Sequence, residues 1–166
     1  HGSRRLPDRV EFTGDPLIDA AELKPLFEKV SGQVSTMRIG ESRLDLFCPV
    51  EFEANKKKDV FRIFALGGST TYGEPYASAT AFPAFVGAYL RAANPGLSVE
   101  VINCGGLSYA SYRIRFIMEE VLEYSPDLIL LYTGHNEFLE KRGLIFAKQS
   151  MESLATSWPN LQFQKL

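Results

Sequence analysis

The chain has 166 residues and a formal net charge of −2. This length suits one domain with enough apolar content to bury a core, and the even mixture of charges offers no basic stripe for nucleic acid. No segment approaches the roughly 18–20 apolar residues of a membrane span. The two cysteines lie far apart without paired Cys/His spacing, so the sequence indicates neither a zinc site nor a disulfide framework.

Residues 1–58 show no sustained hydrophobic period, and we expect an extended lead-in that opens with a tag remnant, not a second domain. Its first three residues resemble a cloning scar, and no signal peptide is visible behind them. A short helix is predicted over residues 20–30, where four apolar residues are spaced as on one helix face: Leu23, Leu26, Phe27 and Val30. Residues 32–55 alternate loosely between polar and apolar, which predicts extended arms laid over a core.

From residue 60 onward the pattern alternates between strands and helices. Strands are predicted at 60–66, 98–103 and 127–132, with helices at 80–93 and from a cap at Ser111. Each helix has an apolar stripe expected to cover a sheet face: Phe82, Phe85, Val86, Tyr89, Leu90 and Ala93 in the first, and Ile114, Ile117, Met118, Val121 and Leu122 in the second. Right-handed crossovers make the strands parallel and bring the loop after each strand to one edge.

After residue 137 no further strand is evident. The predicted fold is therefore an α/β three-layer sandwich with a parallel, flavodoxin-like sheet, truncated after its third strand. We expect residues 59–166 to form the front part of a longer domain. An open strand edge can pair with another chain, so we also expect self-association, or a missing C-terminal segment that completes the sheet.

The first loop, Gly67-Gly-Ser-Thr-Thr-Tyr-Gly73, carries Ser69 at a strand-to-helix turn. Three roles fit this position. Ser69 is a nucleophile whose developing charge the neighbouring amides stabilise, a phosphate-binding residue in a glycine-rich turn, or a simple helix cap. The Walker pattern is absent, and the loops have no basic residue that would support phosphate.

The third loop, Gly134-His-Asn-Glu137, supplies the amide of Asn136. An asparagine beside glycine often orders its own turn. Alternatively, its NH₂ group donates to an oxyanion, a contact that contributes about 3 kcal/mol to acyl transfer. Arg113 is a weaker candidate, which either neutralises a substrate acid or forms a structural ion pair with Glu74 or Glu137.

Together these segments resemble the sequence blocks of the SGNH (GDSL-type) hydrolases. The first loop resembles block one, Val101-Ile-Asn-Cys-Gly-Gly-Leu-Ser108 resembles block two, and the third loop resembles block three. Pro126-Asp-Leu before the last predicted strand is also typical of that family. The longer sequences around these blocks resemble those of a bacterial subgroup. Its members often carry tetratricopeptide repeats and are often membrane-anchored.

The resemblance implies an esterase or deacetylase that acts on a small ester, such as an acetylated glycan or lipid, without a metal or cofactor. Ser69 would be the nucleophile, with the backbone N–H of Ser108 and the side chain of Asn136 as oxyanion donors. Weaker candidates for substrate contact complete the implied site: Gly68, Tyr72, Gly105 and His135. An extracytoplasmic or membrane-anchored location of the longer protein is also implied.

This chain departs from the family pattern at three places. Gly68 stands where aspartate is usual, and Ser108 falls at the position of the oxyanion glycine, unless a shifted alignment places Gly105 or Gly106 there. The Asp-x-x-His block is missing, since no aspartate follows Asp127 and no histidine follows His135. A serine without a base is a poor nucleophile. We therefore expect little turnover from these residues alone, and keep a non-catalytic ligand- or partner-binding module as the second hypothesis.

Overall fold

The computed structural model describes residues 25–32 and 35–138. Within these residues, six strands form two sheets, and three α-helices accompany them. The antiparallel sheet contains β1 (Phe27–Lys29), β2 (Thr36–Ile39) and β3 (Glu51–Glu53), in that order. The parallel sheet contains β4 (Val60–Gly67), β5 (Ser98–Gly105) and β6 (Leu128–Tyr132), in the order β5-β4-β6. The helices are α1 (Ser69–Tyr72), α2 (Phe82–Ala93) and α3 (Ser111–Val121).

The parallel sheet confirms the predicted α/β class and the three predicted strands. The central strand β4 is buried from Arg62 to Gly67, as expected for a strand covered on both faces. The register pairs Gly67 with Gly105 on one side and with Tyr132 on the other. All three strands therefore end at the same level, which brings their following loops together.

The core lies on one face of the parallel sheet. Phe64 and Ile102 pack there with Ile114 and Ile117 of α3. On the other face, α2 approaches β5 so closely that a Cβ atom on Gly87 would lie 2.8 Å from Cγ2 of Val101. Residues 101 and 102 point to opposite faces of a strand, so α2 and α3 lie on opposite faces of the sheet. The complete three-layer sandwich and the truncation stay predictions.

The helix predicted over residues 20–30 is wrong where the structure describes it, because residues 27–29 form strand β1. Residues 20–24 of that prediction lie outside the described residues. The carboxylate of Glu120 on α3 accepts hydrogen bonds from the N–H groups of Leu26 (2.6 Å) and Phe27 (3.1 Å). These long-range bonds and the pairing with β2 outweigh a helical spacing of only four residues.

The N-terminal residues 25–53 share the core of the parallel sheet. Phe27 and Phe52 pack edge-to-face against each other, with ring centroids 4.9 Å apart, and both lie against Phe64 of β4. Such aromatic pairs contribute about 0.5–1.5 kcal/mol each beyond their buried area. The extended arms predicted for residues 32–55 thus include two antiparallel strands that pack against the parallel sheet.

The stripe predicted to bury one side of α2 is wrong for two of its aromatic residues. Phe85 is 63% and Tyr89 72% exposed, whereas Pro83 and Gly87 are buried. Because the residues of α2 that face β5 are small, the backbone of the helix approaches the strand closely. Phe85 and Tyr89 therefore point away from the sheet. Leu122, predicted to end the stripe of α3, is also exposed because the α-helix ends one residue earlier. None of the helices in the described part is long and apolar enough to span a bilayer.

Asp127 joins the beginnings of β4 and β6. Its carboxylate accepts hydrogen bonds from the Lys56 ammonium (2.6 Å) and the Arg62 backbone N–H (2.7 Å), and these contacts, Lys56 first, lower the pKa of Asp127. A depressed folded-state pKa stabilises the fold above the unfolded-state pKa, and this contribution is lost as pH falls through the folded-state pKa.

We expect Asp127→Asn to lower the melting temperature by about 3 °C at neutral pH. The difference from the unsubstituted protein should disappear in strong acid, where the carboxyl group is protonated in both states. Thermal unfolding at both pH values measures this, with the exposed Asp59→Asn as the matched control. A difference that is the same in acid and at neutral pH would contradict this role of the carboxylate.

Candidate active site

Three polar loops meet at the carboxyl edge of the parallel sheet, as the topology predicts. Residues 68–73 follow β4, residues 106–110 follow β5 and residues 133–138 follow β6. The first two loops are tied directly, because the Gly106 N–H donates to the Gly67 carbonyl at 2.9 Å. Ligands of open parallel sheets bind at this edge, so the predicted site residues lie where a ligand is expected.

Ser69 lies at the turn between β4 and α1, and is partly exposed. The backbone at Gly68 is extended (φ −87°, ψ −154°), and its carbonyl accepts the N–H groups of Thr71 and Tyr72 at 3.0 Å each. The short helix ends at Gly73 in the left-handed region (φ +113°). Among the described residues the Ser69 N–H has no backbone acceptor outside its own helix.

Asn136 lies directly over the Ser69 turn. It is 3% exposed, and Nδ2 donates to the Tyr109 carbonyl at 2.8 Å. A Cβ atom on Gly68 would lie only 2.5 Å from the same nitrogen. An asparagine amide carries two N–H donors, and within the described residues only one of them has an acceptor. The structure therefore places the Asn136 amide against Gly68, the residue that precedes Ser69.

His135 lies on the same side of Gly68 as Asn136. Its Cε1 and Nε2 atoms are 3.2 and 3.3 Å from the position of a Cβ atom on Gly68, and the side chain is exposed. His135 and Asn136 thus occupy the space that a side chain at position 68 would need. This gives a steric reason for glycine where aspartate is usual in the family that the sequence resembles.

Ser108 adopts the left-handed backbone conformation, with φ +60°. This conformation costs a non-glycine residue about 1–2 kcal/mol, so its surroundings must hold it. The N–H of Leu107 donates to the Leu46 carbonyl at 2.9 Å, and the N–H of Tyr109 donates to the Gly106 carbonyl at 3.3 Å. Ser108 itself is exposed between these two anchored residues, and its N–H has no acceptor within the described part of the chain.

Gly105 and Tyr72 pack against each other beneath the first loop. A Cβ atom on Gly105 would overlap the backbone nitrogen of Tyr72, so the close approach of α1 to β5 requires glycine. The side chain of Asn103 stabilises the same contact. Its amide nitrogen donates to the Thr71 carbonyl at 2.8 Å, and its amide oxygen accepts the Gly105 N–H at 2.9 Å. These packing contacts explain the glycine at position 105, and the roles of Gly105 and Tyr72 in substrate contact stay predictions.

Tyr72 also lies beside the buried Cys48 of the N-terminal part. The Cys48 thiol donates to the Tyr72 carbonyl, with Sγ 3.7 Å from the oxygen. Charge repulsion from an ionised Cys48, followed by a hydrogen bond to it, raises the pKa of the Tyr72 phenol.

Glu137 caps helix α3 from the third loop. The cap predicted at Ser111 is wrong, because Ser111 is the first helical residue and the preceding Ala110 makes no side-chain cap. Instead, Glu137 Oε1 accepts the Ser111 N–H at 2.6 Å and the Thr133 hydroxyl at 3.3 Å. A carboxylate at a helix N-terminus is favourable, and this bond fixes the third loop against the second.

Arg113 lies near the same helix end. Its guanidinium carbon is 5.4 Å from the centroid of the Tyr109 ring and 5.5 Å from that of Tyr112. Cation–π contacts of this kind contribute about 0.5–1 kcal/mol where solvent reaches them. The contact gives Arg113 a structural role beside the second loop, and its role toward a substrate acid stays a prediction.

The sequence did not reveal Arg43 and Tyr109 as part of this site. Arg43 is 6% exposed, and its Nη2 donates to the Tyr109 hydroxyl at 2.7 Å. Tyr109 follows Ser108 directly, so its position immediately after the second block could have suggested a role. Arg43 lies in the segment without a hydrophobic period, where no signal marked it.

Fold and loops define an α/β protein with a polar site at the carboxyl edge of a parallel sheet. No protein-family model and no curated protein matched the sequence. Among solved structures, one similar chain is AlinE4, described as an SGNH-hydrolase family esterase, with a TM-score of 0.45 and 22% sequence identity. The similarity covers 61% of this chain and 55% of AlinE4. At this distance the likeness assigns neither family nor activity.

Proposed function

We propose that this chain supplies the nucleophile and the oxyanion-binding groups of a serine ester hydrolase of the SGNH type. The observation that carries the proposal is the position of the Asn136 amide, whose nitrogen would lie 2.5 Å from a Cβ atom on Gly68, beside Ser69. The backbone N–H of Ser108, an exposed residue in the left-handed conformation, supports it.

In the proposed reaction the Ser69 hydroxyl oxygen attacks the ester carbonyl carbon, and the carbonyl electron pair moves to oxygen. The Ser69 and Ser108 N–H groups and the Asn136 amide stabilise this oxyanion, an effect of about 3–4 kcal/mol for each well-placed donor. Collapse of the intermediate expels the alcohol and leaves the acyl group on Ser69, from which water removes it. The hydroxyl proton passes to a base, and the resemblance assigns that role to a histidine–aspartate pair outside these 166 residues.

The proposed substrate is a small carboxylic ester, including an acetyl ester on a glycan or lipid. The substrate class, the tetratricopeptide repeats and the membrane anchoring of a longer protein are supported by the resemblance of the sequence blocks. No metal or cofactor takes part in the proposed reaction.

Turnover of p-nitrophenyl acetate by the full-length natural protein tests the proposal. Ser69→Ala should lower turnover by at least about a thousandfold, because the nucleophile is lost, while thermal unfolding shows an intact fold. The matched control is Ser98→Ala, an exposed serine at the opposite edge of the sheet. Full turnover by Ser69→Ala would remove the proposal.

A binding module is the second candidate function. It is favoured by one observation: Glu137, the carboxylate next to Asn136, is engaged with Ser111 and Thr133 and is not paired with His135 as a base for Ser69. A binding module predicts that an ester raises the melting temperature of both the unsubstituted protein and Ser69→Ala, with no turnover by either. Turnover that depends on Ser69 would exclude it as the sole function.

A further inference from the structure

The second loop is held by a segment that lies about sixty residues earlier in the chain. Three residues of this segment contact it: Arg43, Leu46 and Phe47. The Leu46 carbonyl accepts the Leu107 N–H at 2.9 Å, and Phe47 bridges to Gly106. The Phe47 ring also packs edge-to-face on Tyr109, with centroids 4.8 Å apart. The N-terminal part therefore contacts the loop that presents the Ser108 N–H.

Arg43 adds a side-chain hydrogen bond to the second loop. Its guanidinium is buried, lies 5.4 Å from the centroid of the Phe47 ring, and donates through Nη2 to the Tyr109 hydroxyl at 2.7 Å. A hydrogen bond from a charged donor is about twice as strong as a neutral one. The hydroxyl end of Tyr109 is thus fixed by a charged group from the short 3-10 helix between β2 and β3.

The backbone of Tyr109 adjoins two of the three proposed oxyanion donors, the Asn136 amide and the Ser108 N–H. Its carbonyl accepts the Asn136 amide at 2.8 Å, and its peptide nitrogen follows the left-handed Ser108. A residue in a strained backbone conformation persists only where its surroundings over-determine it. Fixing Tyr109 therefore restrains the Asn136 side chain and the Ser108 backbone at the same time.

We propose that Arg43 is a positioning residue for the oxyanion-binding groups and that it acts through Tyr109. The inference rests on the proposed function. It also assigns the N-terminal residues 25–53 a role in the site, because Arg43, which lies among them, positions the oxyanion donors. Misplacing a reacting group by about 1 Å can cost up to a hundredfold in rate, so a partial loss of alignment should slow the chemical step without weakening the first encounter with substrate.

The test measures covalent labelling of the full-length natural protein by a fluorophosphonate probe. Three variants are compared: Arg43→Gln, Tyr109→Phe and the double variant. We expect the maximal labelling rate to fall about tenfold in each single variant and no further in the double variant, because both act on one contact. The probe concentration at half-maximal rate should remain unchanged. Tyr109→Phe keeps the ring that packs on Phe47, so it serves where Arg43→Gln fails to fold.

Arg38→Gln is the matched control, since Arg38 lies on β2 and bonds to Glu28 without touching the second loop. It should keep the full labelling rate even where the melting temperature falls. A normal maximal rate in folded Arg43→Gln, or single effects that multiply in the double variant, would overturn the positioning role. Failure of the proposed function looks different, because the unsubstituted protein would then remain unlabelled, and the positioning role would be lost with it.

Discussion

Asn136→Ala is expected to lower ester turnover of the full-length protein by about a hundredfold or more, the usual effect of removing one oxyanion donor. The buried amide lies over Gly68, beside Ser69, and has one N–H not used by the Tyr109 carbonyl. The loss should appear in kcat and in kcat/KM alike, because the contact forms only when charge develops on the substrate oxygen.

Stability must be separated from chemistry in this variant. Removing the amide leaves the Tyr109 carbonyl without its Asn136 partner, which costs about 1–3 kcal/mol in a buried site. Steady-state kinetics at a temperature well below the unfolding transition separates the two effects. Asn94→Ala is the matched control, because it removes an exposed side-chain bond to the Leu90 carbonyl. If Asn136→Ala loses no more turnover than Asn94→Ala, Asn136 is not an oxyanion donor.

Gly68→Ala should impair both the fold and the site. The extended backbone at Gly68 suits any residue, so conformational strain is not the reason for glycine. Instead, the new Cβ atom would lie 2.5 Å from Nδ2 of Asn136 and about 3 Å from the His135 ring. We expect the free energy of unfolding to fall by about 1–3 kcal/mol, as for other overpacked sites. Turnover should fall about tenfold as the amide moves.

Gly96→Ala provides the matched glycine control. Apart from its chain neighbours, no atom of the described residues lies within 4 Å of the position of its Cβ, so the substitution should change stability by less than about 1 kcal/mol. Chemical denaturation of the two variants side by side measures the difference. Equal stabilities and equal turnover for both variants would show that the space above Gly68 is not needed.

The parallel sheet and the meeting of its loops followed from the sequence because both depend on short-range patterns. The apolar run of β4, the β-branched residues of β5 and the helical spacing of α3 each lie within one element, and the handedness of the crossovers does the rest. The same logic predicts Ser69 and Asn136 at one edge of the sheet.

Tertiary contacts decided the features that the sequence did not reveal. Strand β1 replaces a predicted helix because Glu120, more than ninety residues later, binds its N–H groups. The close contact of Gly87 with Val101 determines which side of α2 faces the sheet, so large aromatic residues at helical spacing point outward. Arg43 left no local signal, since its partner Tyr109 lies 66 residues away.

The segment before the domain boundary predicted after residue 58 makes more contacts with the rest of the protein than a lead-in suggests. Residues 25–53 share the aromatic core of β4 and contact the second loop of the site. The boundary itself, the open strand edge that recruits a neighbour and the longer domain stay predictions. The proposed site draws on both parts, with Ser69 from one and Arg43 from the other.

The most direct test of the central claim is to locate the adduct that a fluorophosphonate probe forms with the full-length protein. Peptide mass spectrometry after labelling should find the phosphonyl group on Ser69, and the adduct should be missing from Ser69→Ala. An adduct on a different residue, or no adduct on a folded protein, would contradict the assignment of Ser69 as the nucleophile.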